Sequence, residues 1–186
     1  MFQSPPPYIR MPDGQTAPIE FAAGCYFCCH LEVTISGPEL INIAYCLSKS
    51  QNSEYKSQIH ETALKIGNKT GVSRKNARIM CPFLNDNQCG IYAIRPLACR
   101  SWVSVSKEAC RKDWAAPAAK KKVPSSGLFK EISRKYHQKM YKFGLQYNAP
   151  VGRFELVRAL DIVLQQKETT EYILSASGSM LDPARI

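Results

Sequence analysis

No run of this sequence approaches the roughly 18 apolar residues that a membrane-spanning helix needs. Its first residues, MFQSPPPYIRMPDGQ, put prolines where a secretory leader would carry an apolar stretch. Together these point to the cytosol, where thiols stay reduced and disulfide frameworks are rare. Glycine-rich nucleotide loops are missing too. Neither SGP at 36 nor KTG at 69 makes the strand-to-helix turn that such loops require. The C-x3-C-x2-C pattern of radical S-adenosylmethionine enzymes is absent, and no internal repeat is visible. Acidic residues are few, 15 against 25 Lys and Arg, which gives a formal net charge of +10.

The imbalance is local. Residues 56 to 142 hold 19 Lys and Arg and 5 Asp and Glu, while the rest of the chain is net acidic. A basic middle attracts nucleic acid, an anionic surface or an acidic protein, although most such stretches are solvated faces. With 186 residues and 45% hydrophobic content, the chain suits one domain that buries a core without cross-links.

We expect a mainly α fold: a small helical domain with an irregular, cysteine-rich knuckle. Residues 1–20 read as a flexible, proline-rich tail, 21–167 as a single domain ending in a helical hairpin, and 168–186 as a loose tail. Ser36 or Gly37 caps a first helix, with Pro38 and Glu39 in its first turn and Leu40, Ile43, Ala44 and Leu47 on one stripe. A second covers about 53–66, with Tyr55, Ile59, Ala63 and Ile66 at helical spacing. Residues 67–79 read as a basic loop and 112–127 as a linker. Two further helices follow. One carries the stripe Phe129, Ile132, Tyr136, Met140 and Phe143, read as core. The other covers about 153–167.

The chemistry lies in eight cysteines. Cys25, Cys28 and Cys29 crowd one short stretch; Cys46 stands alone; Cys81, Cys89, Cys99 and Cys110 follow at gaps of seven, nine and ten residues. The later group sits in chain with no sustained period and with turn signals at Cys81-Pro82, Asn85-Asp86-Asn87 and Cys89-Gly90. Irregular chain with regularly placed cysteines reads as a knuckle folded around something. Thiolates are ligands for zinc and for iron–sulfur clusters, and a C-x-x-C turn aims two sulfurs at one metal. The expected ligands are Cys25, Cys28, Cys29, Cys81, Cys89, Cys99 and Cys110. Cys46, beside the apolar stripe of the first helix, reads as core. Cys28 and Cys29, if extended, point apart and do not both serve one ion. His30 reads as solvent-facing, with a lesser role as a spare ligand; His60 and His137 read as helix-surface polar residues.

The segments CYFCC and CPFLNDNQCGIYAIRPLACR resemble the YkgJ family of cysteine-cluster proteins, a zinc- or iron-chelating domain named for its C-x-x-C-x-x-C-C pattern. The second motif is carried by Cys81-Pro82-Phe83-Leu84, Cys89, Ile91-Tyr92, and Arg95-Pro96 through Cys99-Arg100. Ala22 stands where the family's first cysteine falls, so Cys110 or His30 is left to complete the shell. Arg95 and Arg100 read as countercharges to a multi-thiolate site, acting on sulfur or on nearby carbonyls. Phe83 and Tyr92 read as shields against water. The resemblance implies a cytosolic zinc or iron protein. Two other readings stand beside it: a lysine N-methylase similar to the flagellin enzymes, or its accessory, and a basic nucleic-acid-binding protein with a structural metal. The second would use Lys120-Lys121-Lys122 with Lys130, Arg134, Lys135, Lys139 and Lys142.

Overall fold

A capping box starts the first helix. The Ser36 N–H and hydroxyl both donate to Glu39 Oε2, at 2.9 and 2.7 Å, and α1 runs over Gly37–Lys49. Its stripe of Leu40, Ile43, Ala44 and Leu47 is buried. The computed structural model describes residues 8–10, 14–20, 24–50, 54–116, 123–124, 127–166 and 184. Ala22, Lys120, Lys121, Lys122, half of the first expected tail and all of the second but Ala184 lie outside the described residues. Within the first stretch, β1 (Tyr8–Arg10) and β2 (Thr16–Pro18) pair antiparallel.

The core joins three helices. α2 (Glu54–Ile66) buries Ile59, Ala63 and Ile66, the predicted face. Against it and α1 packs the C-terminal helix, whose apolar residues Leu156, Val157, Leu160, Val163 and Leu164 are all buried. Burying side chains of this size stabilises by about 1.5–3 kcal/mol each. His60 on α2 lies 3.0 Å from Asp161 across that contact. A short strand, β3 (Thr34–Ser36), runs into α1 and pairs antiparallel with residues 153–155, placing Ile35 opposite Phe154, both fully buried. The predicted last helix therefore begins three residues late. Arg153–Glu155 is extended because it completes this ladder, and Glu155 then caps the helix by accepting the Arg158 N–H at 2.8 Å. Gly37 is required here, since a Cβ would run into the Pro150 carbonyl.

Two expectations are corrected. Residues 67–79 are not all loop: α3 covers Gly71–Ala77. Its amino end closes when the Thr70 N–H donates to Ser73 Oγ at 3.0 Å and the Ser73 hydroxyl donates to the Thr70 carbonyl at 2.7 Å. Its inward residue is Arg74, only 1% exposed, so no apolar stripe announced it. The expected linker likewise starts inside a helix. α4 (Leu97–Ser101) is followed by α5 (Lys107–Ala115), capped by the Ser106 hydroxyl accepting from the Ala109 N–H, with Cys110 and Asp113 as its buried face. Residues 117–122 and 125–126 lie outside the described residues.

α6 spans Gly127–Gln146 and packs on α1 and α4; the last helix, α7, is Leu156–Leu164. The α6 stripe was expected in the core, yet Ile132, Tyr136 and Phe143 are 46, 40 and 45% exposed and Gly144 is its buried residue. Phe129 and Met140 of the same stripe are half-buried. Seven α-helices and six short strands among the described residues make a mainly α domain, as predicted.

Candidate metal centre

Two separated pieces of chain come together at the cysteines. The first is the turn over residues 27–30, closed by the Cys29 N–H donating to the Tyr26 carbonyl at 2.8 Å and the Leu31 N–H to the Cys28 carbonyl at 3.1 Å. The second starts at Cys81, whose N–H donates to the Cys29 carbonyl at 2.7 Å. That bond stitches the two cysteine groups directly. From there β4 (Leu84–Asn85) and β5 (Gln88–Cys89) form a hairpin with Leu84 opposite Cys89. Asp86 and Asn87 occupy its two-residue turn with φ of 45° and 61°, the left-handed pair that matches strand twist and that Asn and Asp tolerate. The hairpin returns Cys89 toward Cys81. A 3-10 turn at Tyr92–Ile94 then leads to Pro96 and α4, which carries Cys99.

Arg100 holds this second piece in shape. Its Nε donates to the Arg95 carbonyl at 2.8 Å and its Nη2 to the Ala93 carbonyl at 2.6 Å. It serves nearby carbonyls, one of the two roles expected of it. Glu39 holds the piece in place: its second carboxylate oxygen accepts the Leu97 N–H at 2.8 Å, fixing the start of α4 against α1.

The electrostatics of the thiols map their proximity. Cys29 opposes the ionisation of Cys81, Cys89 and Cys99; Cys99 and Cys89 oppose that of Cys81; Cys89 opposes that of Cys99. In every pair within Cys29, Cys81, Cys89 and Cys99, one thiol thus opposes the ionisation of the other. Cys28 adjoins Cys29, Cys99 and Cys25, and Cys25 adjoins Cys110. All seven cysteines singled out from their spacing belong to this network. Cys46, half-buried on α1, enters none of these interactions.

Burial is the first reason that Cys81, Cys89 and Cys99 hold their protons, with Cys99 pushed up to about 12. Cys28 and Cys29 do not point apart as expected. They lie in a turn rather than a strand, and their thiols hydrogen-bond to each other. This bond is the first cause lowering Cys29 and raising Cys28. Cys29 is therefore the thiol that ionises first. The Arg95 guanidinium favours the same ionisation and also eases Cys89 and Cys99. Arg95 is the countercharge predicted for this site, stacked 3.9 Å above the Tyr92 ring. Tyr92 itself is half exposed, so it is Arg95's platform and not a water shield; Phe83, 1% exposed, does exclude water.

His30 corrects the expectation of a solvent-facing ring. It is buried, edge-on to Trp114 at 4.6 Å between centroids. Both ring nitrogens are buried without a well-formed hydrogen bond. Burial lowers its pKa against a weaker pull from the Phe27 backbone, and the charges around it are Asp113, Lys75 and Arg74, not the thiols. Sequence reasoning missed Arg74 altogether. Its Nη1 donates to the carbonyls of His30 (3.0 Å) and Ile79 (2.7 Å), two residues from a cluster cysteine at most. No apolar or motif signal marked it.

Among the described residues, no three of these side chains stand as a finished coordination shell. The fit to a soft or borderline metal is one of donors: half-buried thiols that oppose one another's ionisation, one already biased to thiolate, beside the Arg95 guanidinium. A family model, CxxCxxCC, described as "Putative zinc- or iron-chelating domain", matches residues 22–120. The chain belongs to this family. No curated protein and no solved structure matches it. The CxxCxxCC domain spans every cysteine of the network, the hairpin and α5, and it leaves α6 and α7 outside the matched segment.

Proposed function

We propose that this CxxCxxCC domain binds zinc or iron in the cytosol through Cys25, Cys28, Cys29, Cys81, Cys89, Cys99 and Cys110. The observation that carries the reading is the Cys81 N–H bond to the Cys29 carbonyl at 2.7 Å, which joins the two cysteine-bearing pieces inside the matched family segment, where Cys29, Cys81, Cys89 and Cys99 oppose one another's ionisation. These four are the inner ligands. Cys25, Cys28 and Cys110 extend them on one side, and Cys110, not His30, supplies the sulfur that Ala22 lacks. Seven sulfurs exceed the four that either one tetrahedral zinc or one iron–sulfur cluster takes, which favours a second ion or a set of sulfurs outside the shell.

Metal and sulfide analysis of protein purified without oxygen tests this. Iron with acid-labile sulfide and visible absorbance supports a cluster, while a colourless protein with zinc supports a structural site. Protein that carries no metal, and whose folding a chelator leaves unchanged, overturns the proposal.

The exposed aromatic stripe of α6, beside Lys135, Lys139 and Lys142, favours a second role as a nucleic-acid face. That role requires oligonucleotide binding that weakens steeply with salt; absence of binding at low salt ends it.

A further inference from the structure

A cleft of about 960 Å³ opens between α6, α4 and the ladder of β3 with Arg153–Glu155, and Cys28 and Cys99 form part of its wall. Its volume matches sites that enclose small ligands. Trp102, Met140, Tyr141 and Val151 give it apolar surface. Its charge is one-sided. Lys130, Arg134, Lys142 and Arg153 line it, and Glu32 is the one acidic residue that does. Glu32 is engaged through one oxygen: its Oε2 accepts the Gly71 N–H at 2.6 Å and its charge faces Arg74, while Oε1 is buried without a hydrogen-bond partner. Arg134 pairs with Glu131, but among the described residues Lys130, Lys142 and Arg153 have no acidic partner. His137, also in the wall, keeps a buried Nδ1 without a hydrogen-bond partner. Lys130 and Lys142 stand twelve residues apart on α6, roughly 18 Å along the helix. Lys130 and Arg134 are only one helical turn apart, so two of the four cations share one end of the cleft.

We propose that this cleft binds an elongated amphipathic anion, apolar along its body and carboxylate or phosphate at its head, against the Cys28–Cys99 side of the metal centre. The charges select the anion, and Trp102, Met140 and Val151 cover its apolar length. The adjoining metal is the part that rests on the function proposed above; the cleft itself does not.

Trp102 supplies the reporter. In a Trp114→Phe protein it is the remaining tryptophan, since the chain has two. Its emission is followed while decanoate, decyl phosphate and decyltrimethylammonium are added in turn. One or both anions should give a saturable change, and the cation should give none. Which anion binds tighter distinguishes a carboxylate ligand from a phosphate ester. Combining Lys130→Glu with Arg153→Glu should weaken anion binding by about tenfold or more, and added salt should weaken it in the unsubstituted protein. Equal response to the cation, insensitivity to both charge reversals, or saturation by an oligonucleotide but by neither anion would overturn the inference. Metal content is measured on the same samples. Metal without anion binding sinks this inference alone, and anion binding without metal sinks only the reading of the cysteines.

Discussion

The α1–α2–α7 core and the knuckle from Cys81 to Ser101 are held by different means. The core buries Leu40, Ile43, Ile59, Ile66 and Leu160 almost completely, and these sit in three helices of nine to thirteen residues. The knuckle consists of elements two to five residues long. Phe83 and Ile91 are its apolar side chains that reach the core cluster as buried members. A few polar stitches do the rest: Cys81 to Cys29, Gly90 to Phe83, Arg100 to its own turn, and Glu39 to Leu97. Area stabilises the first region. The second relies on directional bonds and on whatever draws its thiols together, so the two should fail under different insults.

Changes at the thiols should separate them most. Cys99→Ser should remove most bound metal while α1, α2 and α7 keep their helicity, read by metal-to-protein ratio and circular dichroism. Chelation should likewise raise hydrogen exchange over 81–101 and leave the core amides protected. Collapse of both regions together would break the distinction. The converse is a core cavity. Leu160→Ala should cost about 2–5 kcal/mol in denaturant unfolding, with metal content per folded molecule unchanged.

Arg74 bridges the regions and should give a smaller, mixed effect. Arg74→Met keeps bulk but loses the bonds to the His30 and Ile79 carbonyls, at about 2–3 kcal/mol, and should also loosen metal retention. Glu155 offers a pH test confined to the core side. Burial, its first cause, raises its pKa above the ordinary 4.5. The proton-bound form is thus favoured in the fold. Its stabilisation is full below 4.5 and is lost as pH rises through the raised value. Glu155→Gln should flatten that decline relative to the parent in urea midpoints across pH, because an amide oxygen can still accept the Arg158 N–H. The smallest effect belongs to Cys46→Ala: unchanged metal content, and a stability change within about 1 kcal/mol.

What could be read from the chain follows from how each region is held. α1, α2 and α7 show a period near 3.6 because apolar burial made them, and Ser36, Pro38 and Glu39 mark a start that any helix would use. α3 and α5 were invisible because they turn Arg74, Cys110 and Asp113 inward. The stripe on α6 was visible, but periodicity reports that a helix has an apolar face, not that the face is covered. In the knuckle, the motif around Cys81, Cys89 and Cys99 was legible as a family signature, and the family model covers it. The orientation of Cys28 toward Cys29 was not legible. It depends on a turn closed locally at Tyr26 and anchored from Cys81, more than fifty residues away.

Glu39 also works as a rivet between the two regions. One of its carboxylate oxygens closes the amino end of α1, and the other accepts the Leu97 N–H 58 residues further on. A single side chain thus terminates two helices, one that belongs to the core and one that carries Cys99. The knuckle is pinned to the scaffold at the residue where the scaffold's own first helix starts.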